Sequence, residues 1–283
     1  MTAEPKSTRD VYSIVTENVI NFLEMGIMPW RHSWVKAGIP RNAITQKPYR
    51  GINVLLLAMQ GYTQNLFITE EQLANLGGTV KKGQYYHIAT YWEWKESTNG
   101  SSDKWAALKY SKVFNISQCE GVELTTEGDS KTENPLLACK EIVQNMPNAP
   151  KRETNKQSAW YAPIEDVVHM PASNEYTKPD YYYYDLFKLL AYATGNPKRL
   201  NRTEQAQNEP IFSKETLIAD IAAHYLCFYA GIHENVCVPN TKHIYGWIER
   251  FSDDPKFIVS AATKAQKAVD YILNHQPTHE NEN

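Results

Sequence analysis

Apolar positions near the start of the chain recur at helical spacing. Val11, Ile14, Val15, Val19, Phe22 and Leu23 fall on one face of a helix predicted over residues 8–25. Ser7 with Asp10 reads as its capping box and Gly26 as its stop. Residues 27–53, rich in Pro, Trp, Arg and Asn, read as loop. Short apolar helices are expected over 52–60 and 70–76, the second ending at Gly77 and Gly78. The period then changes to two: 84–95 and 105–116 read as strands, with STNGSS at 97–102 as a hairpin tip. The polar stretch 122–134 reads as a linker. Beyond it, helices are expected over 135–146, 179–194, 213–230, 241–251 and 255–274, and a hairpin over 158–171 turning near Pro163–Asp166. The tail HQPTHENEN reads as disordered, and no internal repeat is visible.

This order of elements predicts an α+β protein of two domains, a division that 283 residues comfortably support. Residues 1–126 form a small mixed α/β domain. Residues 135–283 form a mostly helical domain with an edge hairpin. A hydrophobic content of 42% and a charged content of 22% are ordinary for a soluble globular protein. No run of 18 apolar residues exists and the N-terminus lacks an apolar h-region, so neither a membrane span nor a secretory signal is expected. Cys119, Cys139, Cys227 and Cys237 lie far apart without a CxxC pair. That spacing argues against a disulfide framework or a zinc ribbon and for the cytoplasm. Cys119 and Cys227, in apolar surroundings, read as buried structural thiols.

Charge changes the picture. The net charge is −3, but residues 1–126 hold 13 basic and 11 acidic residues against 16 and 21 in the remainder. No acidic residue lies between Glu24 and Glu70, whereas Arg31, Lys36, Arg41, Lys47 and Arg50 do. Trp30, Trp34 and Tyr49 interleave with these cations. Single-stranded nucleic acid asks for such a pairing, because cations track phosphates while flat rings stack on unpaired bases. The candidate DNA-binding residues are therefore Trp30, Arg31, Trp34, Arg41, Asn42, Tyr49, Arg50 and Asn53, with Lys81 and Lys82 at a second basic turn. Residue types alone leave another reading open: tryptophans beside arginines also mark a core edge with cation–π contacts, and a short basic run also marks a solvated face.

Four blocks add to this reading: DVYSIVTENVINFLEMGIMPWRHSW, PRNAITQKPYRGINVLLL, the GGTVKKG turn and VFNISQCEG. In that order they resemble the N-terminal domain of the ArdC-type antirestriction proteins of conjugative plasmids and related mobile elements, a domain shared with plasmid transfer primases. AWYAPIEDVVHMP, YYYYDLFKLLAYATGNPKRLNR, ETLIADIAAHYLC and AATKAQKAVDYIL resemble the zincin-type metallopeptidase domain of the same family. The resemblance implies binding of single-stranded DNA without strong sequence preference and protection of transferred DNA from host restriction.

The departure from the family pattern concerns metal. The resemblance implies an H-E-x-x-H helix, in which two His one turn apart grip zinc and the Glu activates water. Anchored on Thr194-Gly195 and Arg199-Leu200-Asn201-Arg202, these positions hold Lys188, Leu189 and Tyr192. A later His becomes Asn196, and the third ligand falls near Thr216, Glu215 or Asp220. Lysine repels a divalent ion, leucine accepts no proton and tyrosine is a weak ligand. The expectation is a domain with no catalytic residues, metal or cofactor. Asp220 with His224 on one helix face reads as a surface pair, His169, His233 and Glu234 are scattered, and the Tyr181–Tyr184 run reads as packing. Two alternatives stand beside this: a cleft that binds a host or plasmid protein without cutting it, and a peptidase with a relocated metal site.

Overall fold

The computed structural model describes residues 10–31, 38–96, 104–122, 134–154, 156–202, 212–236 and 243–275. Among these the chain order is α1 (Val11–Glu24), β1 (Arg41–Asn42), α2 (Ile52–Ala58), β2 (Leu66–Thr69), α3 (Glu70–Asn75), β3 (Thr79–Val80), β4 (His87–Glu96), β5 (Lys104–Asn115) and β6 (Cys119–Glu120). There follow α4 (Pro135–Asn145), β7 (Lys151–Glu153), β8 (Trp160–Ala162), β9 (Val167–His169), α5 (Pro179–Ala193), α6 (Lys214–Ala230), α7 (His233–Val236), α8 (Ile244–Asp253) and α9 (Phe257–Ile272). The arrangement is the α+β, two-domain one expected. The hairpin tip, the linker core and the tail fall outside the described residues.

Helix α1 starts one turn later than the pattern predicts. Asp10 itself is the cap, accepting the Ser13 N–H at 2.7 Å. It ends at Gly26, whose φ of 79° lets the chain turn left-handed while Ile27 N–H closes on Phe22 O at 2.9 Å. The N-terminal sheet runs β1-β2-β5-β4. Only Val113–Asn115 of β5 meet β2, so beyond Val113 the β4–β5 hairpin continues as a two-stranded ribbon. Asn53, at the start of α2, holds this ribbon: its side chain accepts from Thr90 N–H (2.7 Å) and Oγ1 (2.9 Å) and donates to Thr90 O (2.7 Å). In the C-terminal half, β9 is flanked by β7 in parallel and β8 in antiparallel. The predicted hairpin thus gains a third strand, with Asp166 in its turn at φ 57°.

The two domains share one apolar core. Val15, Val19 and Leu23 of α1 and Leu55 of α2 join the same cluster as Leu190, Ile221, Phe251 and Val269. Polar ties reinforce it: Thr16 Oγ1 donates to Pro255 O (2.7 Å), Tyr225 OH to Gly51 O (2.8 Å), and Gly51 N–H to Gln266 Oε1 (3.1 Å). Trp30, in a single 3-10 turn at Pro29–Arg31, is fully buried with its ring edge-on to Trp247 and Phe251 of α8. Truncating it should therefore destabilise the whole chain. Trp30→Ala is expected to cost roughly 3–5 kcal/mol in urea unfolding followed by circular dichroism. A loss below about 1 kcal/mol would mean that Trp30 is not a keystone of the shared core.

Candidate functional site

Helices α5 and α6 pack face to face at the centre of the C-terminal half. α6 is capped by Ser213, which accepts the Thr216 N–H at 3.0 Å, and closes at Gly231 with φ 76°. α5 opens on Pro179, whose missing N–H is no loss in a first turn. Tyr192 OH donates to Thr216 Oγ1 (3.2 Å), while Tyr184 and Lys188 meet Asp220. The helices thus run past each other in opposite senses. The positions matched to the metal-binding pattern on α5 face Thr216 and Asp220 on α6.

Asp220 is the hub. Its Oδ2 accepts from Trp30 Nε1 (3.0 Å) and Arg31 Nε (2.7 Å). Its Oδ1 accepts from Tyr184 OH (2.6 Å) and Arg31 Nη2 (3.0 Å) and lies 3.3 Å from Lys188 Nζ. Burial alone would raise the Asp220 carboxyl, but the charges of Lys188 and then Arg31 hold it well below the usual carboxylate range. One turn on, His224 is buried; its Nδ1 bonds Asp220 O at 2.8 Å and its Nε2 has no hydrogen-bond partner among the described residues. Burial pushes its pKa down from 6.5 to about 4. Tyr184 packs against the core as expected and is also part of this cluster. Its hydroxyl is also held protonated, by burial and by the Asp220 charge.

The other candidates are engaged within the chain. Trp30 is corrected from a base-stacking ring to a core ring, because α8 encloses it. Arg31 forms a two-pronged ion pair with Asp220, and Arg50 pairs with Asp270. Arg41 Nη1 donates to Gln46 O (3.1 Å). Asn42 caps its own turn, accepting from Ile44 and Thr45 N–H, and donates to Gln72 Oε1. Tyr49 sits edge-on to Phe67, and burial pushes its hydroxyl up to about 12. Asn53 is the staple to β4 described above. Of the five cations expected to form a basic face between Met28 and Asn53, Arg31 and Arg50 are thus met by carboxylates from the other half of the chain, and Lys36 lies outside the described residues. Trp34 lies outside the described residues. Lys81 and Lys82 remain exposed, Lys81 Nζ donating to Ser117 O (2.9 Å).

Of the remaining ligand candidates among the described residues, only His233 lies beside this cluster, its ring edge-on to His224 with centroids 5.7 Å apart. Glu215 is buried in a two-pronged pair with Arg202 (2.8 Å), which also donates to Thr194 Oγ1 and Ala191 O. Leu189 is in the core, and Asn196 donates to Tyr161 OH and Pro163 O. His169 stacks on Trp160 and His233 on Phe228; the Glu234 side chain lies outside the described residues. Asp220–His224 is corrected from a surface pair to a buried one, since α6 is enclosed on nearly all sides. Cys119 and Cys139 are buried free thiols, and Cys227 is buried. Among the described residues no helix is long and apolar enough to cross a membrane.

Residues 9–132 match the model of the N-terminal domain of the anti-restriction factor ArdC, and residues 140–264 that of a zincin-like metallopeptidase. In that order the two matches resemble the two parts of an ArdC-type protein. The solved ArdC of plasmid R388, metal-free, is 28% identical with a TM-score of 0.76, over 94% of this chain and 98% of that one. Its Mn(II)-bound form gives 27% and 0.76 over 96% and 100%. A DNA primase TraC of Escherichia coli is 28% identical over 92% of this chain, which spans only 26% of the primase's length. Protein y4eC of Sinorhizobium fredii is 24% identical over 96% of this chain and 94% of its own.

The residues at the ArdC-type metal position of this chain do not fit a divalent ion. Of the residues read at that position, Lys188 offers an ammonium, Tyr192 is engaged with Thr216, and both oxygens of Asp220 already accept from cationic or hydroxyl donors.

Two outcomes follow from this geometry. Asp220→Ala leaves Arg31 and Lys188 facing each other without an anion and should cost about 3–5 kcal/mol. Lys188→Met should cost clearly less, because Arg31 still neutralises the carboxylate. Urea midpoints compare the two, and equal losses would contradict the assigned hub. The pH dependence has a definite sign. Unfolded chain takes up a proton at His224 below pH 6.5, whereas the folded chain resists until about pH 4. Stability should therefore fall by about 2–3 kcal/mol between pH 7 and pH 4.5, with Asp220 adding a further loss in stronger acid. His224→Leu should flatten that slope; an unchanged slope would remove His224 from the account.

Proposed function

We propose that this ArdC-type chain is a single-stranded-DNA-binding protein of a mobile element that shields transferred DNA from restriction, and that its zincin-like domain cuts nothing. The observation that carries the reading is the ion cluster at Asp220. A hydrolytic zinc site needs three ligands, an open position for water and a general base. Here Lys188 and Arg31 supply the positive charge, and Leu189, packed in the core, can take no proton. What remains for function is the DNA-binding role implied by the N-terminal domain, supported by the exposed Lys81–Lys82 turn. Coating makes a strand less accessible to other enzymes.

Two measurements test this. Gel-shift titration of the full chain should show binding of single-stranded DNA tighter than duplex; preference for duplex would overturn the DNA half. Elemental analysis of protein grown with added zinc should find well under one ion per chain. Lys188→His with Tyr192→His, which places two imidazoles one turn apart opposite Thr216 and Asp220, should raise that content. One tightly held ion per chain in the unmodified protein would overturn the peptidase half.

A further inference from the structure

The β4–β5 ribbon has two faces, set by its register. On one, Ile88, Trp92, Leu108 and Tyr110 pack into the main core, and Thr90 is held by Asn53. On the other, Ala89 and Val113 at the base lie with Leu57 and Phe67 in a small cluster beside β2, and outward from it Tyr91, Glu93, Ala107 and Lys109 are half-buried while Lys95 and Trp105 are exposed. Beyond that base the pairs are Tyr91 opposite Lys109, Glu93 opposite Ala107 and Lys95 opposite Trp105. None of these six belongs to a core cluster. Trp105 is 54% exposed, with Lys95 Nζ 5.6 Å from its ring centroid.

Folding gives no reason for this composition. A sheet face open to water ordinarily carries polar residues, yet this one carries two aromatic rings, each directly opposite a lysine. Cross-strand partners sit about 5 Å apart, so a base laid on either ring has an ammonium beside it for its phosphate. Ala107 leaves the middle of the face low. The rings can stack only on unpaired bases, because a duplex keeps its base faces covered. Glu93 is the one acid on the face, and Lys95 Nζ holds it at 3.1 Å.

We propose that single-stranded DNA lies across this open face, with Tyr91 and Trp105 stacked on bases and Lys95 and Lys109 meeting phosphates. The inference rests on the DNA-binding reading above and gives it a location that the Met28–Asn53 segment does not provide. The opposite face supplies an internal control. Trp94, paired with Ala106, lies on the same side as Trp92 and is 64% exposed at the same end of the ribbon. It is as aromatic and more accessible, but it is on the wrong face.

The test is fluorescence anisotropy of a labelled oligothymidine with the full chain, each variant first checked for an unchanged melting curve. Trp105→Ala and Tyr91→Ala should each weaken binding about 5- to 100-fold with the salt slope unchanged, because stacking releases no counterion. Lys95→Met with Lys109→Met should flatten the slope of log K against log salt by roughly 1.4. Glu93→Gln should tighten binding, and Trp94→Ala should leave it unchanged. If the parent fails to bind the oligomer, the DNA-binding reading falls and this inference with it. If the parent binds and Trp105→Ala and Tyr91→Ala bind equally well, or if Trp94→Ala is the damaging change, only the location is overturned. A shift from dimer to monomer in Trp105→Ala at unchanged DNA affinity would give the face to a second copy of the chain and also overturn it.

Discussion

One buried carboxylate, that of Asp220, sets the terms for most of this structure. A buried anion is tolerable only when donors and positive charge surround it. Asp220 draws these from two places: Trp30 and Arg31 in the N-terminal half, and Tyr184 and Lys188 on α5. The α5–α6 contact and the docking of the Pro29–Arg31 turn are thus tied to a single residue. Arg50 with Asp270 and Gly51 with Gln266 repeat the tie on a second line. The two domains behave in packing terms as one body, since α1 and Trp30 have no other place to bury their apolar surface.

The same cluster explains what became of the metallopeptidase framework. A zincin places a divalent cation between two helices, and carboxylate and imidazole compensate it. In this chain Lys188 and Arg31 are the cations and Asp220 is the anion. The electrostatic balance of the helix pair survives with protein charges alone. The segment after α5 keeps its own ion pairs, Arg199 with Asp166 and Arg202 with Glu215, which lock the hairpin and the start of α6.

The N-terminal half divides its residues differently. Two cations of its most basic local stretch, Arg31 and Arg50, are turned toward the C-terminal helices. The ribbon behind it is pinned on one face by Asn53 and Thr90 and leaves the other to solvent. A stiff ribbon with rings and lysines on its open side suits a flexible strand, since the protein loses little entropy in presenting it.

Long periodic elements were legible in the sequence because their signal is local. The apolar spacing of α1, the enclosed run of α6 and the alternation of β4 and β5 each repeat enough times to be read, and the loss of the H-E-x-x-H pattern at Lys188, Leu189 and Tyr192 needed only the residue names. Strands β1, β3 and β6, two residues each, carry no period and exist only because a partner lies alongside. Trp30 serves equally as a stacking ring or a core ring, and the α8 residues Trp247 and Phe251 decide which. The acid-free stretch around Arg31 and Arg50 was true of the sequence and misleading in space, because their carboxylates lie 189 and 220 positions downstream. Helix and strand follow from neighbours along the chain. Which charges are paired and which faces stay open follow from neighbours across it, and only the folded structure places those.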